Sequence, residues 1–211
     1  MTRSEIREKA QVLLDEYSDQ GGWEVPELDH HIDFAHNEVA SLFLKMDDSY
    51  YLKTANISLV AGTELYNLPS DCLKIKRITD PDGVPISRLY KLTDRYEYIG
   101  YGDVKLYYLQ GSQIGFLDIP STAETFGCLY VHAPVAMTDD DDSPDVPEYL
   151  GHDLIAFETA VSALAQDEEI NLTLNAKAKN LRTQIEEFYY TRNIDFPRQA
   201  PRDEALDDLD L

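Results

Sequence analysis

The sequence predicts an α+β fold: a four-helix bundle made of N- and C-terminal helix pairs, with a mainly antiparallel β insertion and an extended C-terminal tail. Three observations support this prediction. The net charge is −8 over residues 1–48, −1 over residues 49–138 and −13 over residues 139–211 of the 211-residue chain. Tyrosine follows the opposite trend, since 10 of the 14 lie in the middle part. Apolar residues recur at helical spacing in both ends and form short strand-like runs in the middle.

The N-terminal part contains the patterns of two amphipathic helices. The first pattern starts at Ile6 and stops before Gly21-Gly22, and the second follows Pro26 for about five turns. The second helix is expected to bury one stripe against the core. Its members are Leu28, Ile32, Ala35, Val39, Leu42, Phe43 and Met46.

The C-terminal part predicts the second helix pair, which begins after Pro147. The third helix presents Leu150, Leu154, Phe157, Val161 and Leu164 at helical spacing. The fourth presents Leu174, Ala178, Leu181, Ile185, Phe188 and Tyr189. Because two amphipathic helices alone cannot enclose a core, we expect the two pairs to pack together.

The middle part predicts β-strands separated by turns. Five segments are rich in β-branched and aromatic residues: 49–59, 73–78, 104–109, 113–118 and 128–132. Pro81-Asp82-Gly83 and Gln110-Gly111-Ser112 lie between apolar runs, as hairpin loops do.

These patterns define the predicted domains. The helical bundle comprises residues 1–48 and 147–192, and the β-rich insertion comprises residues 49–138. Residues 139–146 form an acidic linker, in which proline and mutually repelling carboxylates favour an extended chain. Residues 193–211 form the extended tail, because the helical pattern stops and two prolines follow.

Composition excludes several classes of protein. With a net charge of −22, the chain would add negative charge to DNA instead of releasing counterions, so ordinary nucleic-acid binding is not expected. No apolar run is long enough for a spanning helix, and the N-terminus lacks the apolar stretch of a signal peptide. Two cysteines, Cys72 and Cys128, suit a reducing compartment and are expected to be buried, inert thiols.

Candidate chemical sites are weak. The candidate metal group of Asp29, His30, His31, Asp33 and His36 lacks two histidines at i, i+4, so we expect polar positions beside the apolar stripe, exposed or half-buried, and no metal site. The Asp139–Asp142 run lacks the glycine and the glutamate of a calcium loop. No nucleophile elbow, phosphate loop or zinc spacing is present, so the sequence predicts neither an enzyme nor a cofactor.

Residues 60–86 resemble the "G-x-x-x-Y-x-L-P-x-D-x-x-x-I" signature of head-to-tail adaptor (connector) proteins of tailed bacteriophages. The matching residues are Gly62, Tyr66, Leu68, Pro69, Asp71 and Ile75, followed by Asp82 and Gly83 in the next turn. Residues 6–17 and 32–38 are similar to the first two helices of that family. Residues 129–134 and 145–152 are similar to its sheet exit and third-helix start. The order of these pieces along the chain carries the resemblance.

The resemblance implies a structural protein of the virion neck, assembled in the host cytoplasm. It implies a ring, commonly a dodecamer, that docks on the portal protein and receives the tail or nozzle protein. DNA would cross this ring at ejection without specific binding, and acidic walls would repel its phosphates. In this family the C-terminal segment commonly extends along the portal. The residues that would contact the portal here are Phe196, Pro197, Arg198, Pro201 and Arg202.

Two other classes of function stay open at the level of sequence. An acidic interaction protein or DNA mimic would present carboxylates at phosphate-like spacing to a basic partner, and would stay a monomer or dimer. An enzyme such as a wall hydrolase would need an acidic pair in a cleft, with one raised pKa.

Overall fold

The computed structural model describes residues 1–17, 23–90, 106–117, 121–166 and 171–194. The chain divides into two compact units. Met1–Asp47 and Ala136–Leu211 form the first, which we call the helical unit, and Asp48–Val135 form the second, the sheet unit.

The helical unit contains four described α-helices. They are α1 (Arg3–Tyr17), α2 (Val25–Met46), α3 (Glu148–Gln166) and α4 (Leu172–Ile194). Helix α3 is central, since it packs against each of the other three. The start of α2 coincides with Pro26, whose fixed φ suits the first turn of a helix.

The predicted apolar stripes form much of this unit's core. Leu28, Ile32 and Val39 on α2 are fully buried, and so is Leu154 on α3. One residue of the α4 stripe departs from the prediction: Phe188 is 48% exposed, whereas the neighbouring Tyr189 is buried. Tyr189 stacks edge-on against Phe43 of α2, with 5.4 Å between ring centroids.

The sheet unit opens with a short 3-10 helix, Asp48–Tyr51, and the part of it that the structure describes continues as seven strands. Their order in the sheet is β1-β7-β3-β4-β5-β6-β2. The strands are β1 (Leu52–Leu59), β2 (Leu65–Asn67), β3 (Cys72–Thr79), β4 (Pro85–Arg88), β5 (Leu106–Gln110), β6 (Gln113–Phe116) and β7 (Glu124–His132). Buried apolar side chains, among them Ile57, Ile78, Ile114 and Phe126, form its core.

The predicted fold class is wrong. The described residues combine four α-helices with a seven-stranded, mixed, nearly closed barrel-like sheet, and do not form a four-helix bundle with a small β insertion. The sheet is mixed because β4 and β5 pair in parallel, with Ser87 opposite Leu106. The prediction also omitted β2 and β4, which have three and four residues and are too short to show a period.

Both predicted hairpin loops are confirmed. Pro81 and Asp82 turn the chain between the antiparallel strands β3 and β4, and Gly111 and Ser112 do so between β5 and β6. Gly83 and Gly111 have φ of +81° and +61°, a region that glycine enters without steric cost.

The acidic linker differs from its predicted extended form. Asp139–Asp142 close a turn, in which the Asp142 N–H donates to the Asp139 carbonyl at 3.1 Å. The Asp142 carboxylate also accepts the N–H groups of Thr138 and Asp139 at 2.8 and 2.9 Å. These bonds lower the pKa of Asp142, with the Asp139 N–H contributing most. Backbone donors and a nearby arginine pair therefore offset the repulsion that the sequence suggests.

Candidate interaction surfaces

Asp71, the acidic residue of the adaptor-like signature, joins three parts of the sheet unit. One carboxylate oxygen accepts the Tyr130 hydroxyl of β7 at 3.0 Å, and the other lies 2.8 Å from the Lys53 ammonium of β1. The Asp71 carbonyl accepts the Ala133 N–H at 2.7 Å. The lysine beside it holds the pKa of the Asp71 carboxyl below its usual value. Asp71 therefore acts as a cross-link between the start of β3 and its neighbours.

Tyr66 and Gly62 shape the turn between β1 and β2. The Tyr66 hydroxyl donates to the carbonyls of Thr63 and Val60, at 2.8 and 3.0 Å, and accepts the Val60 N–H at 3.0 Å. Gly62 has a φ of +76° within this turn. The tyrosine thus closes a loop whose backbone needs glycine.

Three further signature residues make backbone hydrogen bonds or core contacts in the sheet unit: Leu68, Pro69 and Ile75. The Leu68 N–H donates to the Ser112 carbonyl at 3.1 Å, and the Pro69 carbonyl accepts the Cys72 N–H at 3.0 Å. Leu68 and Ile75 also pack against the apolar core of the sheet.

The turn that contains Asp82 and Gly83 is organised by the preceding Asp80. The Asp80 carboxylate accepts the N–H groups of Asp82 and Val84 at 3.0 and 2.9 Å. The Gly83 N–H donates to the Asp80 carbonyl at 2.9 Å. The six signature residues, and Asp82 and Gly83 in the turn that follows, thus all lie in the sheet unit.

A buried arginine pair, which the sequence reasoning missed, joins α1 to α2 and to the linker. Arg7 donates to Asp29 and to Asp140, both at 2.7 Å. Arg3 donates to the Met137 carbonyl at 2.8 Å and to Asp33 at 3.0 Å. Each arginine is 8% exposed. Arg3 and Arg7 are spaced i, i+4 on an acidic helix and lie beside the apolar Ile6 and Ala10. This pattern could have indicated that both arginines are on the buried face of α1.

Arg7 and Asp140 each stabilise the charged form of the other. The Asp140 hydrogen bond is the largest cause that raises the pKa of Arg7, and the Arg7 guanidinium in turn lowers the pKa of Asp140. The linker also caps the N-terminus of α1. The N–H groups of Arg3 and Ser4 donate to the carbonyls of Asp142 and Asp140 at 2.7 and 3.1 Å, respectively. The first turn of α1 is thereby capped by linker backbone.

Two histidines depart from the predicted exposed or half-buried positions. His31 and His36 are 5% and 2% exposed on α2. The His31 Nδ1 lies 2.9 Å from the Ser162 hydroxyl of α3, whereas the His36 Nε2 has no partner among the described residues. Burial is the main cause that lowers the pKa of His36. Because histidine is a polar residue, the sequence pattern did not indicate that these two positions are buried.

The two thiols differ in burial. Cys128 is buried in the sheet core, which raises its pKa to about 11, and Cys72 is half-buried. Burial also raises the pKa of Cys72. A raised thiol pKa leaves less thiolate at neutral pH, which disfavours a role as nucleophile for both cysteines.

A groove in the sheet unit is bordered by basic side chains. Its volume is about 700 Å³, and its described lining includes Lys74, Lys76 and Arg88 but no carboxylate. This local excess of positive charge was not predicted, because Arg88 of β4 is distant in the sequence from Lys74 and Lys76 of β3.

The predicted portal-contacting residues cannot be placed. Phe196, Pro197, Arg198, Pro201 and Arg202 lie outside the residues that the structure describes. The same holds for almost all of the predicted tail, 193–211.

The described residues contain neither a metal-binding group nor a membrane-spanning helix. Among the described residues, no three histidine, cysteine or acidic side chains are grouped as a metal site requires. None of the described helices combines the length and the apolar character that crossing a membrane requires.

Comparison with known proteins identifies the family. The family model described as "SU10 adaptor protein", a phage head-tail adaptor family, matches residues 1–200 of the chain. A search of curated proteins gives no match. Because the family match spans almost the whole chain, the protein belongs to the SU10 adaptor family of phage head-tail adaptor proteins.

Proposed function

We propose that this adaptor acts in the virion neck as a ring, commonly of twelve copies in such assemblies, which docks on the portal protein. The ring receives the tail or nozzle protein and forms part of the channel that DNA crosses at ejection. Its role is structural and not catalytic.

The observation that carries this proposal is the separation of charge along an adaptor chain. Residues 1–48 and 139–211 have net charges of −8 and −13, whereas residues 49–138 have −1. Carboxylates that face a channel repel phosphate groups, so DNA passes without being held. The sheet unit is nearly neutral, which suits contacts between copies because charged residues are depleted in the cores of protein interfaces.

Apolar side chains on the sheet unit support the same assignment. Seven of those described are at least 40% exposed. They are Tyr50, Leu52, Val60, Leu73, Val84, Tyr90 and Val135. Contacts between such side chains offset the mutual repulsion of copies that each carry a charge of −22.

The charge also predicts when the ring forms. Repulsion between copies acts over about 8–10 Å at physiological salt, so the isolated chain is expected to be monomeric or weakly associated. Mass photometry of the chain with and without purified portal tests this. We expect a ring only on the portal. A stable dodecamer at low salt without portal would contradict it, and a monomer or dimer that ignores portal would favour an acidic interaction protein instead.

The tail is proposed to grip the portal through Phe196, Arg198 and Arg202. Aromatic and guanidinium side chains are common anchors of interfaces, and here each of the three is adjacent to Pro197 or Pro201 in an acidic chain. Deleting residues 194–211 is expected to leave the melting temperature nearly unchanged and to abolish co-sedimentation with portal. Replacing only these three residues by alanine is the matched variant and should have the same effect. Attachment at wild-type level would refute the assignment.

A further inference from the structure

Two buried imidazoles of the helical unit, which we call the histidine pair, act on each other. His36 of α2 is 2% exposed, and His152 of α3 is 5% exposed. A charge on His152 lowers the pKa of His36, so the two rings repel each other when both are protonated. The His36 Nε2 has no hydrogen-bond partner among the described residues. The closed structure therefore offers little support for a second proton on this ring.

His152 makes a contact that requires an unprotonated ring nitrogen. Its Nδ1 accepts a hydrogen bond from the Met1 ammonium at 2.7 Å. The same ammonium lies farther from two carboxylates, at 4.0 Å from Glu5 and 3.9 Å from Glu148. A protonated imidazole has no acceptor nitrogen, so protonation of His152 breaks the bond and places two positive charges side by side. An attractive contact thereby becomes a repulsive one.

Other charged groups around the histidine pair only partly offset this effect. Carboxylates that raise the pKa of one or the other histidine are Asp33 of α2, Asp145 of the linker, and Glu148 and Asp153 of α3. Two cations of α1 bind some of these carboxylates: Arg3 lies 3.0 Å from Asp33, and Lys9 lies 2.7 Å from Asp153. Burial has the largest influence on both histidines and lowers the pKa of each, so the neutral rings are favoured while they stay buried.

The segment that carries Asp145 and His152 is packed closely and is locally strained. Val146 is 2% exposed. A Cβ atom at Gly151 would lie 3.2 Å from the Phe43 ring of α2 and 3.2 Å from Val146, so the backbone approaches α2 closely. Leu150 has a φ of +60°, a region that residues with a side chain rarely adopt. Release of the segment would relieve this strain, which favours opening at this place.

We propose that the histidine pair is a pH-sensitive latch, which holds residues 143–152 on α2 at neutral pH and releases them below about pH 6. Release exposes both rings to water, where an imidazole has a pKa of about 6.5. Opening is therefore coupled to proton uptake and becomes more frequent as the pH falls. The opening stays local, because the apolar core around Leu14, Ile32 and Leu154 is fully buried and contains no titrating group.

Hydrogen exchange of the full chain, measured by mass spectrometry at pH 7.5, 6.5 and 5.5, tests the proposal. After correction for the intrinsic pH dependence of exchange, we expect protection of residues 143–152 to fall roughly tenfold between pH 7.5 and 5.5. This is the change expected when opening adds one proton to an imidazole with a free pKa of about 6.5. Residues 155–164 of α3 should keep their protection. A segment whose protection does not change, or a loss that spreads equally to residues 155–164, would overturn the proposal.

Replacing the histidine pair separates the latch from other causes of acid sensitivity. His36→Gln together with His152→Gln is expected to remove the pH dependence of exchange in residues 143–152, whatever the level of protection. His30→Gln changes an exposed histidine of α2 and is the matched control, which should behave as the wild type. A tenfold pH dependence that persists in the double variant would overturn the proposal. All of these measurements use the isolated chain, so the latch and the proposed neck ring can fail separately.

Discussion

The Tyr130 hydroxyl donates to Asp71 at 3.0 Å, so the acidic residue of the adaptor signature is bonded to the strand at the centre of the β1-β7-β3 ladder. Lys53 of β1 holds the second carboxylate oxygen at 2.8 Å. This arrangement explains in physical terms why an aspartate stands two residues after the Leu68-Pro69 pair. Asp71 joins β1 and β7 to the position where β3 begins.

Asp71→Ala is expected to lower the melting temperature by roughly 2–4 °C, because the buried Tyr130 hydroxyl loses its acceptor. Asp82→Ala is the matched control, since the Asp82 side chain is exposed in the β3–β4 turn. Thermal unfolding followed by circular dichroism compares the two. Equal melting temperatures for the two variants would show that Asp71 is not a structural cross-link.

Gly83→Val is expected to destabilise the sheet unit by about 1 kcal/mol or more, because a β-branched residue is strained at a φ of +81°. Gly83→Asn should cost clearly less, since asparagine tolerates this region. The free energy of unfolding in urea measures both. If valine and asparagine proved equivalent, the left-handed turn would be wrongly placed.

Arg7→Met is expected to cost about 1–3 kcal/mol, because it leaves Asp29 and Asp140 without their charged donor. Lys9→Met on the same helix removes only the half-exposed pair with Asp153 and should cost well under 1 kcal/mol. Urea unfolding of the two variants provides the measurement. A larger loss for Lys9→Met than for Arg7→Met would contradict the account of the buried arginine pair.

Stability is expected to fall as the pH decreases from 7 towards 5. Burial lowers the pKa of His36, although Asp145 and Asp33 oppose this and His152 adds to it. Burial and the N-terminal ammonium likewise lower the pKa of His152. Below the unfolded pKa of about 6.5, the unfolded chain binds more protons than the folded chain, and the free energy of unfolding decreases.

His36→Gln should weaken this pH dependence, because it removes one of the two imidazoles whose pKa is lowered by burial. His30→Gln, at an exposed position of the same helix, is the control. Urea unfolding at pH 5, 6 and 7 separates the variants. Identical pH profiles for wild type and His36→Gln would show that the histidine does not titrate on unfolding.

Local patterns predicted the helices and the tight turns well. The stripe through Leu28, Ile32 and Val39 is buried as its spacing indicates, and Pro81-Asp82-Gly83 form the predicted turn. Both features are determined within a few residues, where propensity and periodicity act.

Long-range pairings could not be obtained in this way. Ser87 and Leu106 pair in parallel across a long connection, and Pro85 begins a strand of only four residues. Arg7 meets Asp140, which is 133 residues away. Neither pairing between distant residues leaves a periodic trace in the sequence, so the mixed sheet and the Arg7–Asp140 contact emerged only from the structure.

The proposed neck ring is tested most directly by cryo-electron microscopy of this protein mixed with the purified portal of the same virus. We expect class averages in which a ring of this chain is added to the portal, with the acidic segments of residues 1–48 and 139–211 lining the channel. Portal particles without added density, in a mixture where this protein stays monomeric or dimeric, would contradict the proposal.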